Sequence, residues 1–193
     1  MSSVEKAHRA FAEAASSLNW YEVAKLLHDN AQVLHDAPQG TVSFSERGRT
    51  KVRRTSNRAV FLLAAFAMEN LLKAFIVRQQ PKLTEGGKLA RALRNRHGLV
   101  GLQAMCKQIP SPKRTRRVLE TLEVGVNSWA RYPCATSSEQ ESEERAVTPE
   151  FWAAYNEVFA KYSARLESLL SRKNRGAYGA VYRVEFVKPP NVA

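Results

Sequence analysis

"AVFLLAAFAM", residues 59–68, decides the fold. A helix through it is apolar nearly all round, and such a helix is covered on several sides. The run stops at Glu69, short of the roughly 18–20 residues that a membrane span needs. It reads as the buried middle of a longer helix, from about residue 52 to 79, that ends before Pro81. Glu69 and Lys73 are four apart in the favourable order and are expected to pair on its surface.

Amphipathic helices lie on both sides of this segment. Ser2 with Glu5 has the spacing of a capping box, and Ala7, Ala10, Phe11 and Ala14 follow at helical intervals. Asn19 with Glu22 reads as a second box, opening a helix with the stripe Trp20, Val23, Ala24, Leu27, Ala31 and Leu34, stopped by Pro38 and Gly40. Residues 38–50, with Gly48, read as a loop. Beyond a loop at Gly86 and Gly87, residues 88–108 are helical with a break near Gly98. Ser111 and Pro112 then open a helix with Val118, Leu119, Leu122, Val126 and Trp129, ending near Arg131. Thr148 and Pro149 start the clearest amphipathic helix, with Trp152, Tyr155, Phe159, Tyr162, Leu166 and Leu169 three or four apart. After Gly176, "YGAVYRVEFV" has the composition of a strand. Its partner is another chain, residues 41–45, or none if it is an extended tail. The expected fold is all-α: an up-and-down bundle of four to five core helices over residues 50–172, an N-terminal helical hairpin over 1–36 packed on it, and a short extended or β tail over 173–193.

The charge is lopsided. Thirty Lys and Arg against 18 Asp and Glu give a net +12, a balance that favours polyanionic partners, chiefly RNA. Arg47, Arg49, Lys51, Arg53, Arg54 and Arg58 form one knot, Lys113, Arg114, Arg116 and Arg117 a second, and Arg172, Lys173 and Arg175 a third. The first two are the candidate nucleic-acid contacts. Acids gather in residues 137–150, expected to be a solvated loop. The N-terminus lacks a basic region followed by an apolar stretch, so the expected location is the cytoplasm, with no membrane partner. Cys106 and Cys134 lack Cys-x-x-Cys spacing and read as free thiols. His28 and His35, seven apart on one helix, sit roughly 10 Å from each other, too far to share a metal. No phosphate loop, dinucleotide fingerprint or nucleophile elbow is present, and no metal or cofactor is expected.

"AFAMENLLKAFIV" (65–77), "RHGLVGL" (96–102) and "SWARYP" (128–133), in that order, resemble the HEPN domain family. That family carries a Glu followed by Leu-Lys-Ala on a core helix, a His-x-Leu helix start, and a helix ending in Arg-Tyr-Pro. The matching residues are Glu69, Leu72, Lys73, Ala74, His97, Leu99, Leu102, Arg131, Tyr132 and Pro133. The resemblance covers roughly residues 50–170. It implies a helical bundle, commonly dimeric, found in prokaryotic toxin–antitoxin pairs, phage defence and RNA processing.

Catalytic members of that family are metal-independent endoribonucleases, in which an Arg precedes a polar residue and a His follows four to six residues on. The imidazole moves a proton at the ribose 2′-OH or the leaving oxygen, and the guanidinium steadies phosphate charge. Arg91 has the spacing to His97 but is followed by Ala92. Arg94 has Asn95 beside it but stands too close to His97. His97 is the last histidine, so Arg131 has none downstream. Close relatives often have an Asp after this His that caps the next helix; Gly98 stands there instead. The expected function is binding of RNA or another nucleotide polyanion without catalysis. The alternatives are an endoribonuclease using Arg91 or Arg94 with His97, and a dimerising module that docks on a partner enzyme such as a nucleotidyltransferase.

Overall fold

One long helix carries the centre of the structure, a computed structural model that describes residues 1–38, 40–46, 48–131 and 144–186, with the backbone alone at 44, 46, 49, 51 and 53. In chain order the elements are α1 (Ser3–Ala14), α2 (Ser17–Asp36), β1 (Thr41–Glu46), β2 (Arg49–Arg54), α3 (Asn57–Gln79), α4 (Arg91–Arg94), α5 (Leu99–Met105), α6 (Lys113–Asn127), α7 (Pro149–Leu170), β3 (Asn174–Arg175) and β4 (Val181–Tyr182). Helix dominates.

The central helix is α3. Ala64, Ala67, Met68, Leu71, Leu72, Ala74, Phe75 and Ile76 have no exposed surface. The apolar character resumes past Glu69, which corrects the expectation that it falls short of a span. By length and composition α3 could cross a membrane, yet 78% of its most apolar 18-residue window is buried inside the fold. The charges that interrupt it, Glu69 and Lys73, are also buried rather than on the surface.

Helix α2 lies along α3, where small residues allow close approach. Ala24 and Ala31 are fully buried, and Ser17 Oγ donates to the Ala74 carbonyl at 2.8 Å. Tyr21, not Val23, completes the buried face; its hydroxyl bonds Glu167 on α7, while Val23 is exposed. The helix starts a turn before the expected Asn19 box. Ser16 Oγ accepts from Asn19 N at 3.3 Å, and the Asn19 side chain donates backwards to the Glu13 and Ala14 carbonyls, closing α1. In α1, Ser2 caps as expected, but Ala12 is the buried residue and Ala7, Ala10 and Ala14 are exposed.

The expected loop at 38–50 is a β-hairpin. Thr41 pairs with Arg54 and Glu46 with Arg49, Gly48 takes φ +75° at the turn, and Thr55 N donates to the Gly40 carbonyl at 3.0 Å across the base. Because β2 runs to Arg54, α3 starts at Asn57 rather than near 52. The C-terminal strand also differs from expectation. Its partner is the segment just after α7, with Asn174 opposite Tyr182 and Arg175 opposite Val181.

Residues 88–108 break into one-turn α4 and seven-residue α5. Pro112 rather than Ser111 is the N-cap of α6, which ends at Asn127, before Arg131; Trp129 is buried just beyond that end. Thr148 caps α7 as expected, its Oγ accepting from Phe151 N, and all six residues of the predicted α7 stripe are buried. Each such side chain contributes about 1.5–3 kcal/mol of apolar burial. Helices α5, α6 and α7 all pack on α3, and one cluster of buried side chains runs from Tyr21 to Leu170.

Candidate functional site

Two polar regions are candidates: a buried acid beneath a surface histidine, and the basic ribbon of β1 and β2. The first is built on α3. A carboxylate inside an apolar helix needs charged or hydrogen-bonding partners, and Glu69 has two. Its Oε1 receives Lys73 Nζ at 2.6 Å and His97 Nδ1 at 3.0 Å. Lys73 Nζ also lies 5.4 Å from the Trp20 ring centroid, so an aromatic face of α2 backs the cation.

The side chain of His97 is 56% exposed, whereas that of Glu69 is 11% exposed. A carboxylate that accepts from Nδ1 fixes the tautomer and leaves Nε2 as the basic nitrogen. The arrangement can thus move a proton at a surface atom. Among the described residues, Phe66, Glu123 and Asn127 line a narrow crevice beside His97. Position 98 is a glycine, and the acid at the start of α5 is Glu123 of α6. Its Oε2 accepts from Val100 N at 2.9 Å, and the Gly98 position lies against the same carboxylate.

The arginines proposed to work with His97 are engaged elsewhere or project from α4. Arg91 and Arg94 are exposed; Arg94 Nε donates to Asn95 Oδ1 at 3.3 Å. Arg96 contacts the Met105 sulfur at 3.4 Å. Of the residues matching the family pattern, Glu69, Lys73 and His97 come together. Arg131 lies over the Phe66 ring at 5.7 Å, and Tyr132 and Pro133 fall outside the described residues. His28 and His35 stack on Phe159 and Trp152, at 3.9 and 4.4 Å between centroids. Among the described residues no group of His, Cys, Asp and Glu could hold a metal.

The second region is the ribbon of β1 and β2. The pairing puts positions 49, 51 and 53 on one face of the ribbon. Those are Arg49, Lys51 and Arg53, with Arg54 exposed on the opposite face. Every side chain described between 41 and 54 is exposed, including Val42 and Val52. Arg47 lies outside the described residues. Arg58 is used internally: its Nε binds Glu144 Oε2 at 2.8 Å, and Asn57 ties the same carboxylate and the Arg145 carbonyl to the start of α3. Glu144 is therefore held by α3 rather than standing in a solvated loop; residues 137–143 lie outside the described residues.

At the start of α6, Lys113, Arg114, Arg116 and Arg117 are all exposed. Arg114 pairs with Glu157 and Arg116 with Glu120, each at 2.8 Å. Exposed pairs of this kind are weak and are screened by salt. The partners Glu123 for α5 and Glu144 for Arg58 were missed from the sequence, where each is one acid among many. No protein-family model, curated protein or solved structure matches the chain.

Proposed function

We propose that this chain is a HEPN-like protein, an up-and-down helical bundle that binds RNA or another nucleic-acid polyanion in the cytoplasm, in a prokaryotic defence or toxin–antitoxin setting. The setting rests on the resemblance of residues 65–77, 96–102 and 128–133. The binding is supported by one observation above the others: β2 gathers Arg49, Lys51, Arg53 and Arg54 on a two-stranded ribbon whose described side chains are all exposed.

The two-residue alternation of β2 places positions 49, 51 and 53, which are Arg, Lys and Arg, on one face, and a two-stranded ribbon is narrow enough to follow a phosphate backbone or enter a duplex groove. Lys113 and Arg117 at the start of α6 are a second exposed basic cluster. The test is fluorescence anisotropy with a labelled single-stranded RNA over a salt series. Replacing Arg49, Lys51, Arg53 and Arg54 with Ser should weaken binding and flatten the salt slope by about 3, four phosphate contacts at roughly 0.7 each. Equal affinity and slope in the variant would overturn the reading.

The second reading is metal-independent RNA cleavage with His97 as the base. The hydrogen bond from Nδ1 to Glu69 favours it, since that bond orients the ring and leaves Nε2 free for proton transfer. Arg91 or Arg94 would supply the phosphate-steadying charge. Incubating RNA with the protein and its His97→Ala variant in a chelator decides it: cleavage by both, or by neither, sinks the catalytic role.

A further inference from the structure

A cavity of about 310 Å³ opens between the α1–α2 turn, the end of α3 and the C-terminal turn that follows β3. That volume falls within the range of small-molecule sites. Ala12, Leu18 and Val77 give it an apolar floor. Arg9 and Arg175 stand on its lining with a single acid, Glu13.

One wall is held in an unusual conformation. Tyr178 takes φ +53°, a left-handed backbone that bulky residues rarely adopt. Two contacts from the Glu85–Gly86 turn keep it there: Tyr178 N donates to Glu85 Oε1 at 2.8 Å, and Gly86 N donates to the tyrosine hydroxyl at 2.8 Å. Arg9 then lies 5.2 Å from the Tyr178 ring centroid. A strained residue fixed by distant partners at a cavity wall is the pattern of a built binding site.

Electrostatics select the ligand. Arg9 has a loose partner in Glu5, at 3.5 Å between side chains 44% and 47% exposed. Arg175 has no ion pair among the described residues. The charged side chains on the lining itself are two guanidiniums and one carboxylate, with Glu85 behind the wall taken up by Tyr178 N, and the apolar floor asks for an apolar body. We infer that this cavity is a binding site for a small amphipathic anion, a carboxylate or phosphate on an aromatic or aliphatic body, with Arg9 and Arg175 holding the anionic group and Tyr178 walling the body. This site is separate from the basic ribbon and does not depend on nucleic-acid binding.

The test uses two dyes: 1-anilinonaphthalene-8-sulfonate, an amphipathic anion, and its uncharged analogue N-phenyl-1-naphthylamine. The native protein should bind each with a saturable, one-site fluorescence rise. Arg9→Gln with Arg175→Gln should weaken the sulfonate about tenfold, the size of one charge-assisted hydrogen bond, and leave the neutral dye unchanged. Ala12→Phe should abolish both by filling the floor. Ala177→Trp, on the half-buried outer turn, does the same without loading the core. Absent or non-saturable binding, or binding that survives Ala177→Trp, refutes the site. Equal losses of both dyes in the arginine variant refute the anion selectivity.

Discussion

Lys73 and His97 meet on the same oxygen of Glu69, at 2.6 and 3.0 Å, one approaching from the next turn of α3 and the other from the loop before α5. The lysine is the more deeply buried partner, its side chain 5% exposed. Glu69 is thus the counter-charge of a cation that cannot reach water. Glu69→Leu should cost about 3–5 kcal/mol, because it strands that cation. Glu69→Leu with Lys73→Met should recover most of the loss, which urea denaturation of both variants measures. If the double variant is no more stable than the single one, the pair is not what holds Glu69 in place.

Gly125 on α6 leaves room for an aromatic ring. A Cβ there would lie 2.1 Å from Phe61 Cε1, and that ring is wedged against Trp129 and Phe151 at 4.5 and 5.8 Å between centroids. Alanine is ordinarily favoured over glycine in a helix by about 1 kcal/mol. Here Gly125→Ala should instead destabilise by about 1–3 kcal/mol, and an unchanged or raised melting temperature would show that Phe61 can move aside.

His28 sets an acid limit on stability. Burial, the largest influence, lowers its pKa below the usual 6.5, as its ring stacks on Phe159 and bonds the Tyr155 hydroxyl. The unfolded chain therefore takes up this proton at a higher pH than the folded one. Stability is full above about pH 6.5 and falls as the pH drops from there towards the lowered folded value. His28→Gln should be less stable at pH 8 and show a shallower loss between pH 6.5 and 5, read from denaturation midpoints across that range.

Cys106 should be silent in the folded protein. Burial pushes its thiol up to about 12, and the sulfur donates to the Leu102 carbonyl at 3.3 Å. With Cys134 changed to Ser, a disulfide reagent at pH 8 should label the chain only after urea is added. Prompt labelling without urea would mean that α5 opens readily.

The ribbon should be dispensable for folding. Gly40 and Thr55 meet across its base, so residues 41–54 can be replaced by a short Gly-Ser link. That deletion should shift the melting temperature by no more than about 2 °C, the range of surface changes, and abolish RNA binding. A large drop would place the ribbon in the core.

What the sequence disclosed depended on how local the signal was. The α7 stripe and its Thr148 cap lie within one helix and its first turn, and both were legible. So was the pairing of Glu69 with Lys73, although the sequence put both on the surface and gave no sign that His97 joins them. Asn19 misled because an Asn three residues before a Glu fits a capping box, while the same side chain can close the preceding helix. The ribbon was hidden by its own charge: Val42 and Val52 alternate with polar neighbours as in a strand, but "SERGRT" reads as loop. The Glu69–His97 bond spans 28 positions and the Glu123–Val100 bond 23, distances that only the folded chain closes.

That last bond also fixes an order of events. Helix α5 has seven residues, well under the ~12–15 that an isolated helix needs, and the group that caps its first turn belongs to α6. It cannot persist before α6 has docked. Closure of the stretch from Leu99 to Met105 therefore depends on the docking of α6. Its amides should exchange with solvent ahead of those in α3, because their protection rests on a contact made by another helix.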